Sequence, residues 1–64
     1  MDLNLTPNIP DPDGFYDALL AAHEGRTDDE SDALNARLIL LLANHIGDPE
    51  VLNAALVAAR AVEG

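Results

Sequence analysis

The feature that most constrains this chain is the stretch LNARLILLLANHIGD, residues 34–48, in which six apolar residues follow one another without a break. A helix turns by about 100° per residue, so six consecutive apolar residues cover every side of it. Such a helix is normally buried, and burial requires surrounding material. A chain of 64 residues has little to supply, because a domain of this size buries only about 60% of its unfolded surface. The sequence therefore predicts a central helix that its own chain covers incompletely.

The first helix is indicated by signals at both of its ends. Asp11 or Asp13 can serve as the N-terminal cap, and Pro12 suits the first helical position because its missing N–H has no partner there anyway. Gly25 is a typical residue at which a helix stops. We therefore expect a helix at about 12–25.

The second and third helices follow from a similar reading. Thr27 and Glu30 have the spacing of a capping box, in which each side chain accepts a hydrogen bond from the other residue's backbone N–H. Gly47 predicts the end of that helix, and Asp48 with Pro49 supplies the next cap and first turn. We expect an all-α three-helix mini-domain, a single helical domain at 11–64 with helices at about 12–25, 28–46 and 49–62.

The first ten residues have a different pattern. Leu3, Leu5 and Ile9 alternate with Asn, Thr and Pro, and the two prolines bias the residues before them away from helix. We predict an extended N-terminal arm at 1–10. Apolar side chains at alternate positions would be wasted on solvent, so we expect the arm to lie along a groove of its own domain or of a neighbour.

Helical periodicity predicts one apolar face on each helix, and together these faces would form the core. The predicted core residues are Phe15, Leu19, Ala22, Leu34, Leu38, Leu41, Leu42, Leu52, Ala55, Leu56 and Ala59. Leu40 and Val57 fall outside this set. Arg37 and Asn44, seven residues apart, form a narrow polar stripe on the second helix.

Leu40 and Val57 predict an interface, because burial of one exposed Leu contributes roughly 2 kcal/mol and a small fold has little stability to spare. Arg37 and Asn44 would orient the neighbour. The alternative is that these apolar residues are singly exposed, as is normal on a monomer, and that the polar stripe is solvated. The full set of expected interface residues is Leu3, Leu5, Ile9, Arg37, Leu40, Asn44 and Val57.

Charge and composition exclude several classes of function. Twelve acidic residues against three arginines give a net charge of -9, which repels phosphate backbones and anionic membranes. We expect no nucleic-acid partner, no membrane association and no signal peptide, and hence a cytoplasmic protein. Because Cys is absent, neither a disulfide nor a thiolate site can stabilise the fold, which leaves oligomerisation.

Three side chains form a candidate polar site: Tyr16, His23 and His45. His45 near a helix C-terminus could bind a ligand or act as an acid or base, but the favoured interpretation is that it closes the helix end or packs the corner. The sequence HEGRT after Ala22 lacks the second His of a zinc-protease motif. We therefore expect no metal, no cofactor and no catalytic activity.

Two further motifs fail on close inspection. DPDG, residues 11–14, could suggest calcium, but the EF-hand register that uses Gly14 puts Ile9 and Leu20 where carboxylates are required. The small acidic helical chain is also similar to acyl carrier proteins, which attach their prosthetic group to Ser in an Asp-Ser-Leu motif. Here the local order is Glu-Ser-Asp-Ala around Ser31, so that reading is disfavoured.

The blocks FYDALLAAHEG and LNARLILLLANHIGD together resemble a family of short bacterial proteins classed as a domain of unknown function. The resemblance covers roughly residues 5–60. It implies a gene neighbourhood with flavin-dependent aromatic hydroxylases and other enzymes of aromatic catabolism, and it supplies no catalytic residues. Together with the apolar central helix, it leads us to expect a non-catalytic accessory protein on a larger enzyme. The alternative is a self-associating helical homo-oligomer with a structural or ligand-binding role.

Overall fold

The computed structural model describes residues 2–61 and confirms the all-α three-helix fold. The helices are α1 at Pro12–His23, α2 at Asp28–Ile46 and α3 at Pro49–Ala61, and no strand occurs among the described residues. The predicted start of each helix is confirmed. The first helix ends two residues before the predicted Gly25, and the predicted end of the third, residue 62, lies outside the described residues.

The helix starts are held by the side chains that the sequence indicated. Gly14 N donates to Asp11 Oδ1 at 3.0 Å, which makes Asp11 the cap of α1. At α2, Glu30 N donates to Thr27 Oγ1 at 3.2 Å and Thr27 N donates to Glu30 Oε1 at 2.9 Å, a complete capping box. The bonds from the Thr27 backbone and side chain, together with the charge of Arg26, lower the pKa of Glu30.

The corner between α2 and α3 depends on a left-handed glycine. Gly47 has φ 76° and its N–H donates to Ala43 O at 2.8 Å, which closes the last turn of α2. Asp48 Oδ1 then accepts from Glu50 N at 3.0 Å in the first turn of α3. A two-residue corner of this kind makes α2 and α3 sequential neighbours in space.

Helix α2 is central, and its two neighbours contact different sides of it. Leu34 and Leu38 are half-buried and line a groove shared with α1, whereas Ala43 is half-buried and lines a groove shared with α3. Leu38 and Ala43 are five residues apart, which places them about 140° apart around the helix. One side of α2 is consequently left without cover.

The predicted core is only partly confirmed. Half-buried members are Leu19, Leu34, Leu38, Leu52 and Ala55, whereas exposed members are Phe15, Ala22, Leu41, Leu42, Leu56 and Ala59. The prediction was wrong for the exposed six because, within residues 2–61, the three helices leave open grooves between them and do not close over one another. Val51, which the pattern did not single out, is the one buried residue in the described chain, at 6% exposure.

The protein's surface is large for its mass. Its accessible area is 5668 Å², against about 3,950 Å² expected for a compact monomer of this mass, an excess of about 1,700 Å². The radius of gyration, 13.4 Å, also exceeds the roughly 10.7 Å of a compact domain of this length. The chain is therefore less compact than a globular domain of its size.

The N-terminal arm has neither helix nor strand in residues 2–10. Asn4 Oδ1 accepts hydrogen bonds from Thr6 N at 2.9 Å and from Thr6 Oγ1 at 2.6 Å, which form a local turn. Leu3 is half-buried, but Leu5 and Ile9 remain exposed. For those two side chains the protomer provides no groove, so contact with a neighbour stays a prediction.

Candidate interaction surface

The uncovered side of α2 carries residues expected at an interface. Arg37, Leu40, Leu41 and Asn44 line one shallow concavity of about 350 Å³, which we call the outer face. Three of the four belong to the predicted interface. Leu40 is 69% exposed.

The polar groups of the outer face are available to a neighbour. Within residues 2–61, the side chains of Arg37 and Asn44 make neither a hydrogen bond nor an ion pair. Arg37 offers a planar fork of donors that matches a carboxylate, and the Asn44 amide can both donate and accept. The outer face thus combines apolar contact area with two orienting groups.

A second surface, the α1–α2 groove, is continuous with the outer face. It encloses about 390 Å³ and is lined by Phe15, Ala18, Leu19, Ala22, Arg26, Leu34, Arg37, Leu38 and Leu41. Arg26 is held in place because its Nε donates to Ala22 O at 2.9 Å. Two of the chain's three arginines therefore border an otherwise apolar groove, in a protein of net charge -9.

A third surface, the α2–α3 groove, is entirely apolar. It encloses about 370 Å³ and is lined by Ile39, Ala43, Leu52, Ala55, Leu56 and Ala59. Ala43 and Ala55 are half-buried at its floor, while Ile39 and Leu56 are exposed on either side of it. Small residues at the floor allow another helix to approach closely.

The acidic residues are kept away from all three surfaces. No Asp or Glu lines them, and residues 33–47 and 51–61 contain none at all. The carboxylates are instead concentrated in the first turns of the helices and in the connections between them. Covering the three surfaces therefore buries no carboxylate of this chain, and that removes a large desolvation cost.

His23 joins α1 to α2 through two side-chain contacts. Its Nδ1 lies 2.9 Å from Ser31 Oγ, and its Nε2 lies 3.1 Å from Asn35 Oδ1. The Asn35 carbonyl oxygen can only accept, so this contact suits the tautomer with the proton on Nε2, in which Nδ1 accepts from the Ser31 hydroxyl. Ser31 and Asn35 lie one helical turn apart on α2, so a single imidazole contacts both.

The order hydroxyl, imidazole and amide is also that of a nucleophile, a base and a group that orients the base. The surroundings do not favour acyl transfer, however. The concavity beside His23 is lined by Asp17, Leu20, Ala21 and Glu24, and its two carboxylates would repel a developing oxyanion. We interpret the three side chains as a polar clamp between helices.

Sequence reasoning missed this clamp because its members are eight and twelve residues apart and meet only through the turn between helices. A usable signal was present, since His23 precedes a connection of four residues and Ser31 and Asn35 have helical i, i+4 spacing.

The three members of the candidate polar site do not come together. Tyr16 precedes His23 by two turns of α1, or about 10 Å along the helix. His45 lies ten residues beyond Asn35 on α2, about 15 Å from the clamp. Among the other expected interface residues, Val57 is exposed on α3, and Leu5 and Ile9 are exposed in the arm.

Metal and membrane sites receive no support from residues 2–61. That part of the chain contains no group of three or more His, Cys, Asp or Glu side chains placed to hold a metal ion. Its helices also lack the combination of length and apolar character that a membrane span requires.

Comparison with known proteins gives one match. The model of a family described as "Protein of unknown function (DUF2783)" matches residues 3–61. No curated protein and no solved structure matches the chain.

Proposed function

Because the chain belongs to DUF2783, whose description assigns no activity, we propose from its surfaces that it is a non-catalytic accessory protein that packs onto a larger enzyme. The observation that carries the proposal is the exposure of Leu40 and Leu41, which are 69% and 68% exposed on the outer face of α2. Leu40, the more exposed residue of the two, is the anchor of the proposed contact.

The energetic reason is the cost of leaving these side chains in water. Covering one exposed Leu contributes roughly 2 kcal/mol, which is a large part of the stability of so small a domain. A partner of standard interface size would cover about 800 Å² of this protein. We assign that contact to the outer face and the adjoining α1–α2 groove.

The chemistry of the surface defines the partner. An apolar patch must meet Leu40 and Leu41, and a carboxylate must meet Arg37, where a bidentate pair would give orientation. Nucleic acid does not fit, since the net charge of -9 opposes a phosphate backbone.

The family resemblance suggests a flavin-dependent aromatic hydroxylase as that enzyme, and the lack of Cys favours the cytoplasm as the location. The alternative function, a self-sufficient helical homo-oligomer, would use the same apolar excess without a second protein.

The test begins with a tagged copy of the chain expressed in its native host and identification of the large protein it captures. The purified pair is then titrated by calorimetry. Leu40→Glu should weaken binding at least tenfold, because it places a charge in an apolar contact. Leu20→Glu is the matched control. Leu20 is also exposed, at 52%, but it lies on α1 outside the outer face. This variant should therefore bind the partner with the affinity of the wild type.

Arg37→Ala should weaken binding less than Leu40→Glu and should also reduce the salt dependence of the affinity, since it removes the charged contact. Equal affinity for the wild type and Leu40→Glu, with both proteins helical by circular dichroism, would refute the proposed surface. Failure to capture any enzyme would refute the accessory role itself.

A further inference from the structure

The α1–α2 groove combines two properties that neither of the other surfaces has together. It extends along two helices, and it carries a local excess of positive charge in an acidic protein. From these properties we propose that the groove receives an amphipathic helix whose apolar stripe is flanked by carboxylates. The inference rests on the proposed function, because it names the element of the partner enzyme that enters the groove.

The lining residues of the groove form two rows, one on each helix. On α1 they are Phe15, Ala18, Leu19 and Ala22, and on α2 they are Leu34, Arg37, Leu38 and Leu41. Both rows have the spacing i, i+3, i+4, i+7, which places each along one side of its helix for two turns, or about 10 Å. Two such rows form a trough of the kind in which an amphipathic helix binds.

The exposure of the lining favours a helix over a small molecule. Leu19 and Leu38 are half-buried, but Phe15 and Leu41 are 49% and 68% exposed, so the groove is open along its length. A small-molecule site normally encloses most of the surface of its ligand. A helix requires only one of its sides to be covered, and its opposite side stays attached to the rest of the partner.

Charge specifies an acidic helix. The groove is lined by Arg26 and Arg37, two of the three basic residues in a chain of net charge -9, and by no Asp or Glu. A purely apolar partner would bury these guanidinium groups without a counter-charge, which is strongly unfavourable. Carboxylates on the partner remove that cost and form charge-assisted hydrogen bonds.

Both arginines have donors available for such bonds. The Nε of Arg26 donates to Ala22 O at 2.9 Å, which leaves the N–H groups of its two Nη atoms. Glu30 attracts Arg26 electrostatically, but the Glu30 carboxylate accepts from Thr27 N and does not line the groove. The Arg37 side chain has neither a hydrogen bond nor an ion pair among the described residues.

The contacts of His23 indicate how far apart the two arginines are along the groove. His23 contacts both Ser31 and Asn35, so the C-terminal end of α1 lies level with the midpoint between them. Arg26 is bonded to that end of α1, and Arg37 lies four residues beyond the midpoint, roughly 6 Å along α2. Side chains at i and i+4 of a helix have about the same separation. We therefore expect two acidic residues one turn apart on the partner helix.

The experiment uses two synthetic helical peptides as probes. Both have the same leucine stripe, and they carry either Glu or Lys at two flanking positions spaced i, i+4. The full chain, labelled with ¹⁵N, is titrated with each peptide. The Glu peptide should bind about tenfold or more tightly than the Lys peptide and should shift the resonances of Leu19 and Leu38. The comparison is stringent because the net charge of -9 by itself attracts the Lys peptide.

Arginine variants test whether the preference arises in the groove. Arg26→Gln and Arg37→Gln should each weaken binding of the Glu peptide, and the double variant should lose the preference for Glu over Lys. Arg60→Gln is the matched control, since Arg60 lies on α3 and lines none of the three surfaces. It removes the same charge from the chain and should bind the Glu peptide like the wild type.

Tighter binding of the Lys peptide, or equal losses in Arg37→Gln and Arg60→Gln, would overturn the inference. So would binding of dodecanoate, but not of the Glu peptide, with the same dependence on the two arginines, because the groove would then be a site for a small amphipathic carboxylate. The peptides do not depend on the enzyme. A captured enzyme with no binding of the Glu peptide overturns this inference alone, whereas binding of the peptide with no enzyme captured overturns only the accessory role.

Discussion

The junction of α1 with α2 and the C-terminal half of α2 differ in whether their side chains find partners within the chain. At the junction, His23 contacts Ser31 and Asn35, and Thr27 and Glu30 cap one another, so the polar groups find partners within the chain. Beyond Leu38, four consecutive apolar residues remain largely exposed. A local polar contact requires only neighbouring residues. Burial of apolar side chains requires enough surrounding chain to cover them, and a short chain has little of it.

The largest loss of stability is expected from a substitution at Val51. Val51→Asp puts a charge at the only buried position of the described chain. An uncompensated buried charge costs about 3 to 5 kcal/mol, which should unfold the protomer or detach α3. Circular dichroism should show a loss of helix, and Val57→Asp at an exposed position should keep its helicity. Native helicity in Val51→Asp would mean that α3 does not depend on this contact.

The polar clamp can be broken at its centre. His23→Ala removes both bonds between α1 and α2 and should lower the free energy of unfolding by about 1 to 3 kcal/mol. The measurement is urea denaturation followed by circular dichroism. His45→Ala, an exposed His on the same chain, should change stability by less than half as much.

A double-mutant cycle tests the polar clamp more directly. If His23 and Ser31 act on each other, Ser31→Ala should cost clearly less in a His23→Ala background than in the wild type. Additive effects would show that the 2.9 Å contact contributes no coupling energy.

A smaller loss of stability is expected at the capping box of α2. Thr27→Ala leaves the Glu30 backbone N–H without its side-chain acceptor and should cost about 1 kcal/mol. Thr6→Ala, in the arm outside the helices, is the control and should have little effect. If the two substitutions lower the urea midpoint equally, the cap does not stabilise α2.

The smallest effect concerns pH. Hydrogen bonds from Thr27 lower the folded-state pKa of Glu30, so its contribution is present above the unfolded pKa and is lost as pH falls through the folded value. Glu30→Gln keeps an acceptor at the cap but cannot titrate. The wild type should therefore lose more stability than Glu30→Gln on acidification below the unfolded Glu pKa. Parallel pH profiles of the two proteins would contradict this.

Local structure was predictable because its signals lie close together in sequence. Asp11, Thr27 with Glu30, and Gly47 act over one helical turn, and the structure confirms each of them. The outer face was predictable for the same reason, since Arg37, Leu40 and Asn44 share one side of one helix.

Which apolar residues are buried was less predictable. The helical wheel assigned Leu41, Leu42 and Leu56 to the core and passed over Val51, but the structure exposes the first three and buries the last. A wheel gives the angle between residues on one helix and carries no information about where the neighbouring helices lie.

The sequence by itself determined three helices, their caps and an apolar excess too large for the chain to bury, because these follow from nearest-neighbour chemistry and from length. Only the tertiary structure decided how that excess is divided. The placement of α1 and α3 against α2 separates the outer face and the α1–α2 groove from the α2–α3 groove. The same placement brings His23 to Ser31 and Asn35. The separation of these surfaces and the contacts of His23 depend on the relative position of the helices. That position is set by the packing of distant residues and by the short turns that join the helices.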